Sequence, residues 1–196
     1  FNLIDGIDGL LTTVAVAALL GCAAIAFNAD RQAITILSLT LAGALLGFLP
    51  WNWHPARVFL GDSGSLVIGL AIAALSIKVC RNPITPLAPN GTLAIHAPLL
   101  LCALPLVETT MTVARRFVSG RPFFVGDQSH IHHVLLNKGL SVRRATVSLA
   151  MIAVLFSTTA VLSRSWRKEV VLGWLVVLLL AALGGLRWLG YVELQV

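Results

Sequence analysis

Two Asp-Gly steps, three residues apart, open the sequence: Phe1-Asn2-Leu3-Ile4-Asp5-Gly6-Ile7-Asp8-Gly9-Leu10. At helical spacing the carboxylates of Asp5 and Asp8 face one way, and each following glycine lets a ligand approach the backbone. The plainer reading is a pair of acids favouring the start of a helix. A second cluster reads Val58-Phe59-Leu60-Gly61-Asp62-Ser63-Gly64-Ser65. One carboxylate between glycines, with hydroxyls after it, suits a hard cation that keeps several waters and bridges to phosphate oxygens, as Mg²⁺ does. Asp62 equally suits the N-cap of the helix that follows, with Ser63 and Ser65 meeting its orphan donors; the two roles are compatible.

The third cluster is Asp127-Gln128-Ser129-His130-Ile131-His132-His133. Its imidazoles could ligate Zn²⁺, hydrogen-bond a sugar, or contact a diphosphate when protonated. Zinc is poorly served, with no cysteine nearby and only Asp127 adjacent. A solvated histidine-rich loop is the bland alternative. Arg115, Arg116 and Arg121 just upstream favour an anionic ligand, because a guanidinium grips phosphate with two parallel hydrogen bonds. Carboxylates for a metal, with arginines and histidines for phosphates, suit phosphoryl transfer, where catalysis is mostly positioning and charge stabilisation.

The elements that must position these groups are membrane helices. Of 196 residues, 58% are hydrophobic and 11% charged, whereas a soluble domain carries roughly 25% charged residues. The apolar residues form long uncharged runs, so the chain reads as an all-α, polytopic transmembrane bundle forming a single domain over residues 1–196. Leu10–Phe27 and Ala33–Leu49 predict a helical hairpin, and a third span runs from near Ser65 to Lys78. Pro83, Pro86, Pro89 and Gly91 make a loop. A fourth span, Leu93 to Val113, carries Pro98, Pro105 and Glu108 and should be kinked. Ala145–Ser163 and Val170–Leu186 complete about six spans. Cys22, Cys80 and Cys102 match no metal or disulfide pattern and read as packing residues.

Segments separated by an even number of spans share a side of the membrane, which puts all three polar clusters on one face. There the loop 114–144 is strongly basic, with Arg115, Arg116, Arg121, Lys138, Arg143 and Arg144 against Asp127, so this face reads as cytoplasmic.

With these residues in place, the sequence resembles the polyprenyl-phosphate N-acetylhexosamine 1-phosphate transferase superfamily, glycosyl transferase family 4. It is most similar to the undecaprenyl-phosphate N-acetylglucosamine 1-phosphate transferases. The resemblance rests on Asn2-Leu-Ile-Asp5-Gly-Ile-Asp8-Gly-Leu10, Val58-Phe59-Leu-Gly-Asp62-Ser-Gly-Ser65, Pro105-Leu-Val-Glu108 and Asp127-Gln-Ser-His130-Ile-His132-His133, in order, from residue 1 to about 145. It implies attack by a polyprenyl phosphate on the β-phosphate of a UDP-sugar, releasing UMP, with Mg²⁺, or Mn²⁺ in its place, as the bridging ion. By the same resemblance Asp62 is the metal-binding aspartate; Asp5, Asp8, His132 and His133 join it at the reacting centre, with Asp8 also a candidate partner for uracil. Asn2 lines the nucleotide side, Phe59 stacks on the uracil and Asn52 lies near it. Arg115, Arg116, Arg121, Asp127 and His130 complete the substrate contacts. The His-x-His-His form points to UDP-N-acetylglucosamine, with another UDP-hexosamine or UDP-N-acetylmuramoyl-pentapeptide as alternatives. The implied setting is the bacterial inner (plasma) membrane, multi-pass, with the site facing the cytoplasm, serving cell-envelope polysaccharide synthesis. A homodimer is compatible with the resemblance, and no nucleic-acid partner is expected.

Two departures stand out. The superfamily carries an adjacent Asp-Asp pair upstream of the first motif, and this sequence contains none. The expectation is therefore a C-terminal part of a longer transferase, inactive alone. Glu108 stands where the N-acetylglucosamine branch more often has Asp, leaving its role open. A transporter, with Glu108 in a broken helix lining a pathway, is the alternative from another class; it predicts further ionisable residues at mid-membrane and an internal repeat, neither of which the sequence offers.

Overall fold

The computed structural model describes residues 1–80, 96–118 and 130–163, with scattered positions between 169 and 184. Among the residues described up to Ser163, a 3-10 turn, Asn2–Ile4, precedes seven helices: α1 (Leu10–Phe27), α2 (Gln32–Asn52), α3 (Gly61–Cys80), α4 (His96–Leu101), α5 (Ala103–Val118), α6 (Ile131–Asn137) and α7 (Val142–Leu162). No strand occurs among the described residues, and α1, α2, α3 and α7 are long and apolar enough to cross a bilayer. The protein is a polytopic membrane helical bundle.

α1 is the axis of the bundle, packed against α2, α3, α4 and α7. Its small residues make this possible: Ala15, Ala17, Ala18, Gly21, Cys22, Ala23 and Ala26 are all buried, and such residues let helix backbones approach closely in a membrane. A Cβ on Gly21 would lie 2.7 Å from Leu101 Cδ2 and 3.1 Å from Ser157 Cβ, so no larger residue fits between α1, α4 and α7. The outer helices invert this pattern. Ile36, Leu37, Leu39 and Leu46 of α2, and Leu66, Val67, Leu70 and Ile77 of α3, are exposed, an apolar surface suited to lipid.

Three boundaries differ from the sequence expectations, and each has a consequence for the polar clusters. α2 runs through Pro50 to Asn52, which puts Asn52 on the last helical position. α3 begins at Gly61, so Asp62 lies inside its first turn and is not its N-cap. The expected fourth span is broken at Cys102 into α4 and α5; Pro105 has no N–H to offer the carbonyl of Leu101. Most of the expected sixth span, and the proline-rich stretch 81–91, lie outside the described residues.

The starts of α1, α3 and α7 and the end of α2 meet at one end of the bundle. At the opposite end Arg31 Nη1 donates to the carbonyl of Lys78 at 2.8 Å, tying the α1–α2 turn to the last turn of α3, where helical carbonyls lack intrahelical partners.

Candidate functional site

Asp5 and Asp8 do not share a helix face, contrary to the spacing argument. Asp5 ends the 3-10 turn, and the chain then turns until α1 starts after Gly9, whose backbone is left-handed at φ 73°. The two carboxylates consequently meet different neighbours. Asp8 Oδ2 lies 2.7 Å from His54 Nδ1 and accepts from the Ala56 N–H at 3.1 Å. The backbone carbonyl of Asp8 accepts from Thr146 Oγ1 at 3.1 Å, and Arg143 Nε donates to the carbonyl of His54, also at 3.1 Å. Asp8 thus holds the segment between α2 and α3, and the first turn of α7 holds both partners.

Asp5 faces the other way. Burial holds its carboxyl above the ordinary range, and the Asp62 carboxylate nearby raises it further. The same edge carries Asn2, whose Oδ1 accepts from the Ser65 hydroxyl, a group that also lies 3.0 Å from the carbonyl of Asp62. Phe1 packs on α3 at Gly69, where an added Cβ would be 3.0 Å from Phe1 Cβ. These contacts bring the first two motifs together. Two neighbouring carboxylates, one half-buried and the other exposed on α3, are a donor set that fits a Mg²⁺ ion, which takes one or two carboxylates and completes its shell with water and phosphate. Among the described residues no group of three or more His, Cys, Asp or Glu side chains is placed to hold a metal ion.

Asn52 is 2% exposed and its amide is engaged at both ends: Oδ1 accepts from Thr12 Oγ1 at 2.7 Å and Nδ2 donates to the carbonyl of Val58 at 3.0 Å. It therefore shapes the segment that presents Phe59, whose ring is 68% exposed. An exposed phenylalanine at the rim is available for stacking.

The histidines sit over the first motif. His132 is buried, its Nε2 has no hydrogen-bond partner among the described residues, and its ring rests on Gly6. A Cβ on Gly6 would lie 2.1 Å from His132 Nε2. Gly6 is thus needed for the approach of a side chain from this same protein. Burial, then the neighbouring His133 and His130, push the His132 pKa down to about 4, so it is a neutral imidazole at pH 7 and not the cationic phosphate contact that the loop suggested. Its ring centroid is 4.4 Å from that of His133 and 5.5 Å from that of His130, the latter pair stacked.

Glu108, only 3% exposed, anchors this group. Its Oε1 lies 2.8 Å from His130 Nδ1, and the Ile131 N–H donates to Oε1 and Oε2 at 3.1 and 3.2 Å. Glu108 belongs to the histidine cluster and not to a mid-membrane pathway, which removes the basis of the transporter reading. Arg116 is half-buried on α5; Arg115 lies on the same helix, and Arg121 and Asp127 fall outside the described residues. Thr12, His54 and Thr146 were not singled out in the sequence, and Arg143 was counted only among the basic residues of its loop. Only the basic character of the loop before α7 hinted at Arg143.

Residues 1–80 match the family model described as glycosyl transferase family 4. The chain is 36% identical, over 84% of its length and 44% of the relative's, to a probable undecaprenyl-phosphate N-acetylglucosaminyl 1-phosphate transferase of Bacillus subtilis. It is 35% identical, over 74% of its length and 39% of the relative's, to a decaprenyl-phosphate N-acetylglucosaminephosphotransferase of Mycobacterium tuberculosis. A phospho-N-acetylmuramoyl-pentapeptide-transferase of Latilactobacillus sakei is 35% identical over 80% of the chain and 45% of the relative. The chain belongs to the glycosyl transferase 4 superfamily. It spans less than half the length of these curated relatives.

Proposed function

We propose that the complete protein carrying this chain is a polyprenyl-phosphate hexosamine 1-phosphate transferase, with UDP-N-acetylglucosamine as donor and undecaprenyl phosphate as acceptor. The observation that carries the reading is the meeting, at one end of a membrane bundle, of the Asp5 and Asp62 carboxylates with the histidine group resting on Gly6. An oxygen of the lipid phosphate attacks the β-phosphorus of the donor, the bond between that phosphorus and the UMP oxygen breaks, and UMP leaves. The product is a lipid-linked diphosphosugar.

Asp62, with Asp5 beside it, would hold a Mg²⁺ ion, whose charge offsets that of the donor diphosphate. Asn2 lines the same edge through its bond to Ser65. Phe59 offers its face to the uracil, and Asp8 and Asn52 hold the segment that aims it. His130 and His133 hydrogen-bond the transferring phosphates, while neutral His132 packs the loop onto the first motif. Arg115, Arg116 and Arg121 add positive charge near the anionic substrates, and Asp127 precedes the histidine group. The site faces the cytoplasm of a bacterial inner membrane, where the basic loops lie and a soluble nucleotide sugar can meet a lipid phosphate. The choice of N-acetylglucosamine rests on the His-x-His-His pattern and on the names of the Bacillus and Mycobacterium relatives.

The test is a labelled-lipid transfer assay on the complete protein, with UDP-N-acetylglucosamine run beside UDP-N-acetylgalactosamine and UDP-N-acetylmuramoyl-pentapeptide. UDP-N-acetylglucosamine should be preferred, and Asp62→Ala should lower Mg²⁺-dependent turnover by at least about a thousandfold, since no other group replaces a bridging charge. Transfer from none of the three donors refutes the reading; near-normal activity of Asp62→Ala refutes the metal assignment.

A further inference from the structure

Glu108 is the one strongly buried carboxylate among the described residues, and nothing in the transfer chemistry above employs it. It sits on α5, while both groups it binds begin α6, more than twenty residues later. α6 has no side-chain cap of its own: His130 is the N-cap residue and makes no capping hydrogen bond. The first N–H groups of a helix lack intrahelical partners, and here the Glu108 carboxylate accepts from the first of them, Ile131, with both oxygens. Oε1 also takes His130 Nδ1. An ionised carboxylate can only accept, so with Glu108 ionised Nδ1 carries the proton, and Nε2 is the nitrogen left for other partners.

Resting on the phosphotransferase reading above, we propose that Glu108 is a positioning residue: its carboxylate fixes the tautomer and ring direction of His130, so that Nε2 is presented to the substrate phosphates. The same carboxylate ties the start of α6 to α5 and so sets the height of His132 over Gly6. An aspartate at this position would be shorter by one methylene, about 1.5 Å, and could not reach Ile131 and His130 together without moving α5. The glutamate is therefore matched to the distance between α5 and α6.

The test uses the complete protein with Glu108→Gln, Glu108→Asp, His130→Ala and the Glu108→Gln/His130→Ala pair. Gln keeps the reach but loses the charge and one acceptor oxygen. Glu108→Gln should lower kcat by roughly tenfold to a hundredfold, in the range found for residues that orient a functional histidine from behind, with KM for the UDP-sugar changed by less than about threefold. In the His130→Ala background the same change should cost less than about twofold, because the residue acts through that ring. Nitrogen-15 shifts of labelled histidine should show Nδ1 of His130 protonated in the parent, and a loss of the single tautomer in Glu108→Gln. Multiplying effects of the two substitutions, or an unchanged tautomer, would overturn the assignment. The shift measurement needs no turnover, so a failure of the phosphotransferase reading leaves it standing as a separate result. A melting temperature that falls while kcat holds would make Glu108 a structural anchor only, which also overturns the proposal.

Discussion

Replacing Gly6 with alanine exchanges a hydrogen for a methyl group, and the structure gives that carbon nowhere to go. It would sit 2.1 Å from His132 Nε2 and 2.6 Å from Cε1, against an ordinary contact of 3.4 Å or more, so the ring must retreat by more than 1 Å. His132 is 2% exposed and has His133 and His130 around it, so retreat means displacing those rings as well. Overpacking of this kind costs about 1–3 kcal/mol. The backbone at Gly6 is not in the left-handed region, so alanine also gains about 0.4–1 kcal/mol by restricting the unfolded chain. The net expectation is a loss centred near about 1 kcal/mol, at most about 2.5 kcal/mol, and a melting temperature lower by roughly 2–4 °C for each kcal/mol lost. Thermal unfolding of the purified protein in detergent measures this directly. His132→Ala empties the contact, so Gly6→Ala placed in that background should keep only its unfolded-state gain of about 0.4–1 kcal/mol, giving a coupling of about 1–3 kcal/mol between the two positions. Equal destabilisation in both backgrounds, or a Gly6→Ala protein that melts like the parent, would show that the ring does not rest on this glycine.

Other expectations follow from the same contacts. His132 is held neutral in the folded state down to about pH 4, while the unfolded chain takes up a proton near its ordinary value of 6.5. Stability should therefore fall by on the order of 1–3 kcal/mol as pH drops through that window. Asp5, whose carboxyl is raised by folding, acts with the opposite sign, favouring the fold as pH falls through its raised value. The His132 share is accordingly read as the difference between the parent and His132→Gln in unfolding free energy at pH 7 and pH 4.5; parallel pH curves would exclude it. Asn52→Ala strands the Thr12 hydroxyl, which is 0% exposed, and the Val58 carbonyl, and should destabilise the protein by about 1–3 kcal/mol in a denaturant titration. A change below 0.5 kcal/mol would show that water replaces the amide.

The membrane architecture was legible because lipid imposes a simple rule, that a crossing segment must satisfy its backbone internally and stay apolar for its whole length. Leu10–Phe27 matches the boundaries expected for α1, and the parity of the crossings placed Asp5, Asp8, Asp62 and His130 at one end. Details at helix ends were not legible. The second span was expected to end at Leu49, yet the helix runs through Pro50 to Asn52, and the kink that Pro98 and Pro105 implied falls as a one-residue interruption at Cys102. The carboxylates of the first motif were assigned a common direction because helical spacing was assumed where the chain in fact turns. Pairings such as Asp8 with His54 and Glu108 with His130 leave no periodic trace, because each joins two side chains from segments 46 and 22 residues apart through a single contact. Gly6 drew attention as an opening for a ligand; that it instead receives an imidazole depends on where α6 lands.

The Thr146 and Arg143 bonds to the backbone of Asp8 and His54 bear on how this protein can be divided. The family match ends at residue 80, and the motifs run out near residue 145, yet the clasp on the first motif comes from the opening turn of α7. Hybrids assembled from two related enzymes would respect these seams only if the entry to the first helix, the bend after the second and the opening of the last are exchanged together. A splice between α6 and α7 would leave each half looking for a hand that the other parent shaped differently.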